Sequence, residues 1–300
     1  MLRFDFFSPE EEIVTTLFQG LDLRFFVKRD DMIHPYISGN KWRKLKYPLQ
    51  DAYQKGKTTL VTFGGAWSNH LLATACAGAK FGFQTHAFVR GEEVHNTVLT
   101  LCRTFGMQLH FVDREAYKNK ELLYALHFGE DPASYFIDEG GYSRAAAEGV
   151  SELIEELQDN YTHLFCACGT GATLAGLSLG LGSGLDTAPT AEAPALHGVP
   201  VLKAGDFIRD EVAALGITTD HITLHTDYHF GGYAKTKPEL IDFIKTFTQE
   251  TGILIEPTYT GKLFYAVYDL AKQGYFAPKS KILLVHTGGL TGFLGMQDKF

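Results

Sequence analysis

TTLVTFGGAWSNHLLATACAGAKFGFQTHAFV, residues 58–89, reads as strand, helix, strand. Thr58–Phe63 is short, β-branched and apolar, and it stops at Gly64-Gly65. The Ala-rich run Asn69–Phe81 has helical composition, with Gly82 placed to close it in a left-handed cap. Gln84–Val89 is a second strand. Strands interleaved with helices of this length build βαβ units and a parallel sheet.

Reading outward, the alternation continues. A helix over Thr97–Phe105, a strand over Gln108–Val112, a charged helix from Glu115 and a strand over Ser134–Ile137 follow. Next come a helix over Arg144–Leu157, a strand over His163–Ala167, and Cys168-Gly169-Thr170-Gly171-Ala172-Thr173 opening another helix. Leu181–Ala195, rich in Gly, Ala and Pro, reads as a surface connection. A strand over His221–His225 leads to the loop Phe230-Gly231-Gly232-Tyr233. Pro238 starts a helix whose Leu240, Ile241, Ile244 and Phe247 share one face. The strand Lys281–His286 ends in Thr287-Gly288-Gly289. Towards the N-terminus, Arg24–Lys28 is strand-like, and Gly39-Asn40 hands a turn over to a helix carrying Lys41 in its first turn. The whole predicts two α/β lobes, with ligands expected where polar or glycine-rich loops leave the strands' carboxyl ends.

The 300 residues, 45% of them apolar, suffice for one large or two ordinary domains with a substantial core. The net charge of −8 argues against nucleic acid or an anionic membrane as partner. The N-terminus lacks a signal peptide's long apolar region, and no apolar run approaches the roughly 20 residues that span a bilayer. Cys76, Cys102, Cys166 and Cys168 lack the spacing of a zinc knuckle or redox pair and read as reduced thiols of a cytosolic protein. Cys166 and Cys168 would face the same side of one strand. No His/Asp/Glu set has metal-ligand spacing, and no Gly-x-Ser-x-Gly elbow is present.

Several stretches each admit two readings. A helix N-terminus disfavours cations, so Lys41 is either a solvated lysine or an amine awaiting an anionic or carbonyl partner. Gly169-Thr170-Gly171-Ala172-Thr173 is either a bare tight turn or a cradle for a single phosphate at a helix N-terminus. It lacks both the Walker ending and the full dinucleotide pattern. Ser68-Asn69-His70 is an ordinary N-cap or a group of neutral donors facing a ligand. Tyr233 and Tyr259 are chance loop tyrosines or site residues. Together these ingredients suit pyridoxal phosphate, which needs an amine, a phosphate cradle, and partners for its phenolic oxygen and ring nitrogen.

Their order and spacing resemble the fold-type II pyridoxal-phosphate enzymes, in particular the group containing D-cysteine desulfhydrase and 1-aminocyclopropane-1-carboxylate (ACC) deaminase. The resemblance runs from about Phe26 to Gly289 and is most specific in Lys28-Arg29-Asp30-Asp31 followed by Gly39-Asn40-Lys41-Trp42-Arg43-Lys44-Leu45. It implies a tryptophan synthase β-like α/β fold of two lobes, each a mainly parallel sheet flanked by helices. Residues 1–44 with 146–300 would form the large lobe and 45–145 the small one. It implies Lys41 as covalent anchor of pyridoxal 5'-phosphate and as base, Lys44 and Gly169–Thr173 on the phosphate, and Asn69 on the phenolic oxygen. Ser68 and His70 would meet the substrate carboxylate, with Asn40 and Thr260 also on the substrate side. Tyr233 and Tyr259 would be the two active-site tyrosines.

ACC deaminases typically carry a glutamate after the second tyrosine, where this chain has Thr260, and Thr287 would face the ring nitrogen as in the desulfhydrase branch. A hydroxyl stabilises a neutral ring and a weaker electron sink, which suffices to expel a thiolate. The expectation is therefore α,β-elimination from a small D-amino acid such as D-cysteine. ACC deamination is the alternative, and a non-catalytic phosphate-ligand-binding protein a more distant one. The resemblance also implies a homodimer. The chain departs from the family pattern at Trp67, at Leu290-Thr291-Gly292, and at the neighbours of Gly140-Gly141.

Overall fold

The computed structural model describes residues 2–182 and 193–300. Strand β1 (Glu10–Glu12) pairs antiparallel with β2 (Arg24–Lys28), after which the chain turns into α1 (Asn40–Gln54). The four-stranded sheet is then laid down by β3 (Thr59–Gly64), α2 (Asn69–Phe81), β4 (Gln84–Arg90), α3 (Thr97–Thr104), β5 (Gln108–Val112), α4 (Lys120–Phe128) and β6 (Ser134–Ile137). Its order is β5-β4-β3-β6, parallel throughout. Helix α5 (Arg144–Glu155) leads back to β7 (His163–Cys168), α6 (Ala172–Gly180), β8 (Ala195–Pro200), α7 (Phe207–Ala214) and β9 (Ile222–Leu224). The last elements are α8 (Pro238–Thr251), α9 (Thr260–Lys272) and β10 (Lys281–Val285). The six-stranded sheet runs β1-β2-β10-β7-β8-β9, and only its β1–β2 pair is antiparallel. Two parallel sheets flanked by helices are the architecture the alternating pattern predicts.

Alternation along each strand sorts its residues between two cores. Phe25, Val27, Phe165 and Val199 face α8 and α9 through Phe243, Phe247 and Leu263. Phe26, Leu164, Cys166 and Cys168 face the opposite way, onto Val150 of α5, Leu174 of α6 and Val212 of α7. Each such fully buried side chain contributes about 1.5–3 kcal/mol. Helix α1 packs Trp42, Leu45 and Leu49 against Leu60 of β3 and Ala73 of α2. Its other side meets α5, where a side chain at Gly149 would strike the Arg43 carbonyl. All four cysteines are buried and free.

Some local expectations need correction. The charged helix expected from Glu115 is a short 3-10 turn, Ala116–Lys118, followed by α4, because the Asn119 side chain accepts from the Leu122 N–H and restarts the helix. Most of the connection expected over Leu181–Ala195 lies outside the described residues, and Ala195 already belongs to β8. Strand β8 and helices α7 and α9 carry weak local signals. Gly198 and Pro200 interrupt β8, and α9 has no capping side chain at its own N-cap. Among the described residues no helix is long and apolar enough to cross a membrane, and no group of three or more His, Cys, Asp or Glu could hold a metal ion.

Candidate active site

The carboxyl ends of both sheets open onto one cavity of about 510 Å³. Helix α1 enters it through Gly39, whose φ of +61° is left-handed and whose missing side chain leaves room for the Thr287 carbonyl. The Asn40 N–H donates to that carbonyl at 3.2 Å, and Asn40 Nδ2 donates to Thr173 Oγ1 at 2.8 Å. The start of α1 is thus tied to the ends of β10 and of the β7–α6 loop. Lys41 Nζ donates to Gly140 O at 3.3 Å, and burial lowers its pKa to about 8. Lys44 is 3% exposed. Burial first, then the Lys41 charge, pushes its pKa well below the ordinary value. Neither amine has a carboxylate within ion-pair distance among the described residues.

Across the cavity, Gly169, Thr170, Gly171 and Thr173 line the wall beside them. Gly171 has φ +80° and leaves the N–H groups of the first turn of α6 without helical acceptors. Ala172 turns its methyl into the core instead of the cavity, so only its backbone serves the loop. Two lysine amines without a carboxylate partner, Lys44 buried and Lys41 half-buried, next to a glycine loop at a helix N-terminus, fit an anionic aldehyde such as pyridoxal phosphate. Lys44 and this loop would hold the phosphate, and Lys41 the aldehyde carbon.

At α2, Ser68 Oγ accepts from the Leu71 N–H at 3.3 Å, the N-cap arrangement. Its own proton remains free for a ligand, so the capping and binding readings are compatible. Asn69 Oδ1 accepts from Thr291 Oγ1 at 2.9 Å, leaving the amide NH₂ to donate. The role expected for the His70 side chain needs correction. Thr62 Oγ1 lies 2.8 Å from Ile137 O and 2.7 Å from His70 Nε2. The single hydroxyl proton goes to the carbonyl, so His70 Nε2–H donates to Thr62. His70 Nδ1 is then an unprotonated acceptor, buried and without a partner. Burial, with Lys41 and Lys44 nearby, keeps the ring neutral. A neutral imidazole in this tautomer has no proton for a carboxylate; at this position the backbone N–H in the first turn of α2 can supply one.

Tyr259 stands at the start of α9, with its ring edge-on to Tyr233 at a centroid distance of 5.9 Å. Burial raises both phenol pKa values, so both hydroxyls stay protonated. Gly169 lets the Tyr259 ring close in, since a Cβ there would sit 3.2 Å from Tyr259 Cε1. Thr260 is not brought to the cavity. Its hydroxyl accepts from the Glu256 N–H at 2.9 Å and its own N–H donates to Glu256 Oε1 at 2.8 Å. The buried Glu256 carboxylate, which also accepts from the N–H groups of Thr258 and Tyr259, is the cap of α9.

Sequence reasoning missed the parts played by Lys262, Arg90 and Arg114, and marked Thr291 only as a departure from the family pattern. Lys262, wholly buried, donates to the carbonyls of Val201, His229 and Gly232 at 3.3, 2.9 and 2.8 Å. It thereby straps the Tyr233 loop onto the helix that begins with Tyr259. Thr291 orients Asn69, and Arg90 and Arg114 line the mouth. None carries a local signal beyond an ordinary lysine, threonine or arginine.

Comparison with known proteins adds four likenesses. A family model for pyridoxal-phosphate dependent enzymes matches residues 13–288. A candidate ACC deaminase of Pyrococcus horikoshii is 33% identical over 289 residues, covering 91% of this chain and 87% of its own. A D-cysteine desulfhydrase of Yersinia pestis is 31% identical over 307 residues, covering 94% and 91%. The crystal structure of an ACC deaminase homologue superimposes with a TM-score of 0.84 at 31% identity, over 99% of this chain and 93% of that one.

Proposed function

We propose, since this chain belongs to the pyridoxal-phosphate dependent enzyme family, that it eliminates the β-substituent of a small D-amino acid. D-Cysteine is the leading substrate, with pyruvate, sulfide and ammonia as products. When bound, pyridoxal phosphate supplies the electron sink that makes the substrate's Cα–H acidic. Lys41, its pKa lowered to about 8, is the amine that moves the proton at Cα. The Asn69 NH₂, fixed by Thr291, would meet the phenolic oxygen. The Ser68 hydroxyl and the N–H groups of the first turn of α2 hold the α-carboxylate at the helix's positive end. Tyr233, 44% exposed, and the half-buried Tyr259, both with phenol pKa values raised above the ordinary value, orient the β-substituent and donate hydrogen bonds to the departing thiolate.

The observation carrying this reading is the acid inventory of the cavity. Glu139 is the one carboxylate lining it among the described residues, and it is 3.2 Å from Lys120. Glu256 is committed to backbone N–H groups. By the family resemblance the Thr287 hydroxyl, two residues past β10 and lining the cavity, would face the ring nitrogen, which suits loss of a good leaving group better than opening an unactivated ring. ACC deamination is the second reading, favoured by the Pyrococcus relative and by a pair of adjoining tyrosine hydroxyls able to act as acids. Purified holoenzyme is given each substrate. Sulfide and pyruvate from D-cysteine support elimination, whereas 2-oxobutanoate from ACC without sulfide from D-cysteine overturns it.

A further inference from the structure

We propose that the site, besides D-cysteine, takes small amino acids whose side chain ends in an oxyanion, received by Arg90 and Arg114; this rests on the amino-acid reading above. Arg90 ends β4, and Arg114 lies two residues past the end of β5. The strands are parallel neighbours with Arg90 opposite Val112, so both arginines stand at one sheet edge and line the cavity.

Most other arginines in this acidic chain are matched; Arg209 donates to the Thr219 and Ile222 carbonyls, and Arg3 near the N-terminus lies in no ion pair among the described residues. Arg24, Arg29, Arg43, Arg103 and Arg144 each meet a carboxylate within 3.4 Å. Arg90 and Arg114 meet none within ion-pair distance among the described residues. The Arg90 guanidinium is held over the Tyr117 ring, 5.4 Å from its centroid, which orients it without neutralising it. It also borders the substrate loop, 3.7 Å from where a Cβ on Gly65 would lie.

Charge accounting points the same way. The cavity lining carries Lys41, Lys44, Arg90 and Arg114 against Glu139, which Lys120 already occupies, in a chain of net charge −8. The cofactor's phosphate answers Lys44, and Lys41 is taken up in holding its aldehyde carbon. The α-carboxylate is served by neutral donors at the start of α2. Two guanidinium groups are left over, and their planar forks match a carboxylate or an oxyanion of similar size.

Matched amino acids provide the test, with binding to holoenzyme followed by the cofactor's absorbance. D-Aspartate and D-asparagine differ in one charge and hardly in shape. D-Aspartate is expected to bind about tenfold more tightly at low salt. That ratio falls to roughly unity in the R90Q/R114Q double variant and largely survives in R90K/R114K, which keeps both charges. Equal binding of the pair by the unmodified enzyme overturns the proposal, as does a preference that persists in the glutamine variant. Failure of D-cysteine elimination with an intact aspartate preference removes the substrate reading and leaves this one standing.

Discussion

Lys41 and Lys44 stand one helical turn apart with no acid to neutralise either, so burial sets their protonation. For Lys41 the sign is definite. The neutral amine is the nucleophile, and with a pKa of about 8 its fraction grows as pH rises through that value. Capture of pyridoxal phosphate by the apoprotein should therefore accelerate from pH 6.5 through about 8 and level off only about one pH unit above that value. Stopped-flow absorbance would follow it, and Lys41→Ala should abolish the covalent phase. A rate flat across this range would contradict the lowered pKa. His70 makes the complementary point. Its identity as a ring donor was the natural expectation, yet one hydroxyl proton on Thr62 decides which nitrogen is protonated.

At the scale of elements, strands β7 and β8 and the residue just past β9 carry a chain of histidines across the large sheet. His163 Nδ1 lies 2.9 Å from His197 Nε2, and His197 Nδ1 lies 3.1 Å from His225 Nε2. Stacked on Phe165, the ladder works only while neutral. Burial, then the neighbouring histidines, lowers the pKa of His197 to about 3, and burial lowers that of His225 to about 4. The unfolded chain takes up these protons below about pH 6.5 while the folded chain does not. Stability is thus fully present above that pH and declines as pH falls towards the folded values. At pH 5 His197 alone should account for roughly 2 kcal/mol. His197→Phe should flatten the acid limb of denaturant-midpoint against pH; an unchanged limb would remove the ladder as its cause. The ladder is not legible in the chain, because His163, His197 and His225 are far apart in sequence and meet only through the β7-β8-β9 register.

Across the whole molecule, α1 is the beam to which both sheets are fastened. Its apolar face belongs to the core of the four-stranded sheet. Arg43, on its other side, meets Asp30 after β2 through two bonds of 2.7 Å and Glu156 after α5 at 2.7 and 2.8 Å. Lys28 joins the same cluster, 3.0 Å from Glu156. Removing one partner of a buried network strands the other's charge. Arg43→Met should cost about 3–5 kcal/mol of unfolding free energy, read by chemical denaturation. It should also weaken cofactor retention, since Lys41 and Lys44 share the helix. A cost below about 1 kcal/mol, the level of a surface pair, would show that the network is not what fastens α1.

Strand and helix alternation, the Gly82 cap and the Pro238 start are local matters of periodicity and backbone preference, and the chain alone determines them. So does the motif content at Lys41, Ser68-Asn69-His70 and Gly169–Thr173, because each motif is contiguous. Tertiary structure decided what depends on groups distant in sequence. It set the His70 tautomer through Thr62, turned Thr260 inward through Glu256, strapped Tyr233 to α9 through Lys262, and left Arg90 and Arg114 unmatched at the cavity mouth. The physical reason is common to all four. Propensity and pattern act over a few residues, whereas hydrogen-bond partners and counter-charges are chosen by whichever strands and helices the fold brings within about 3 Å.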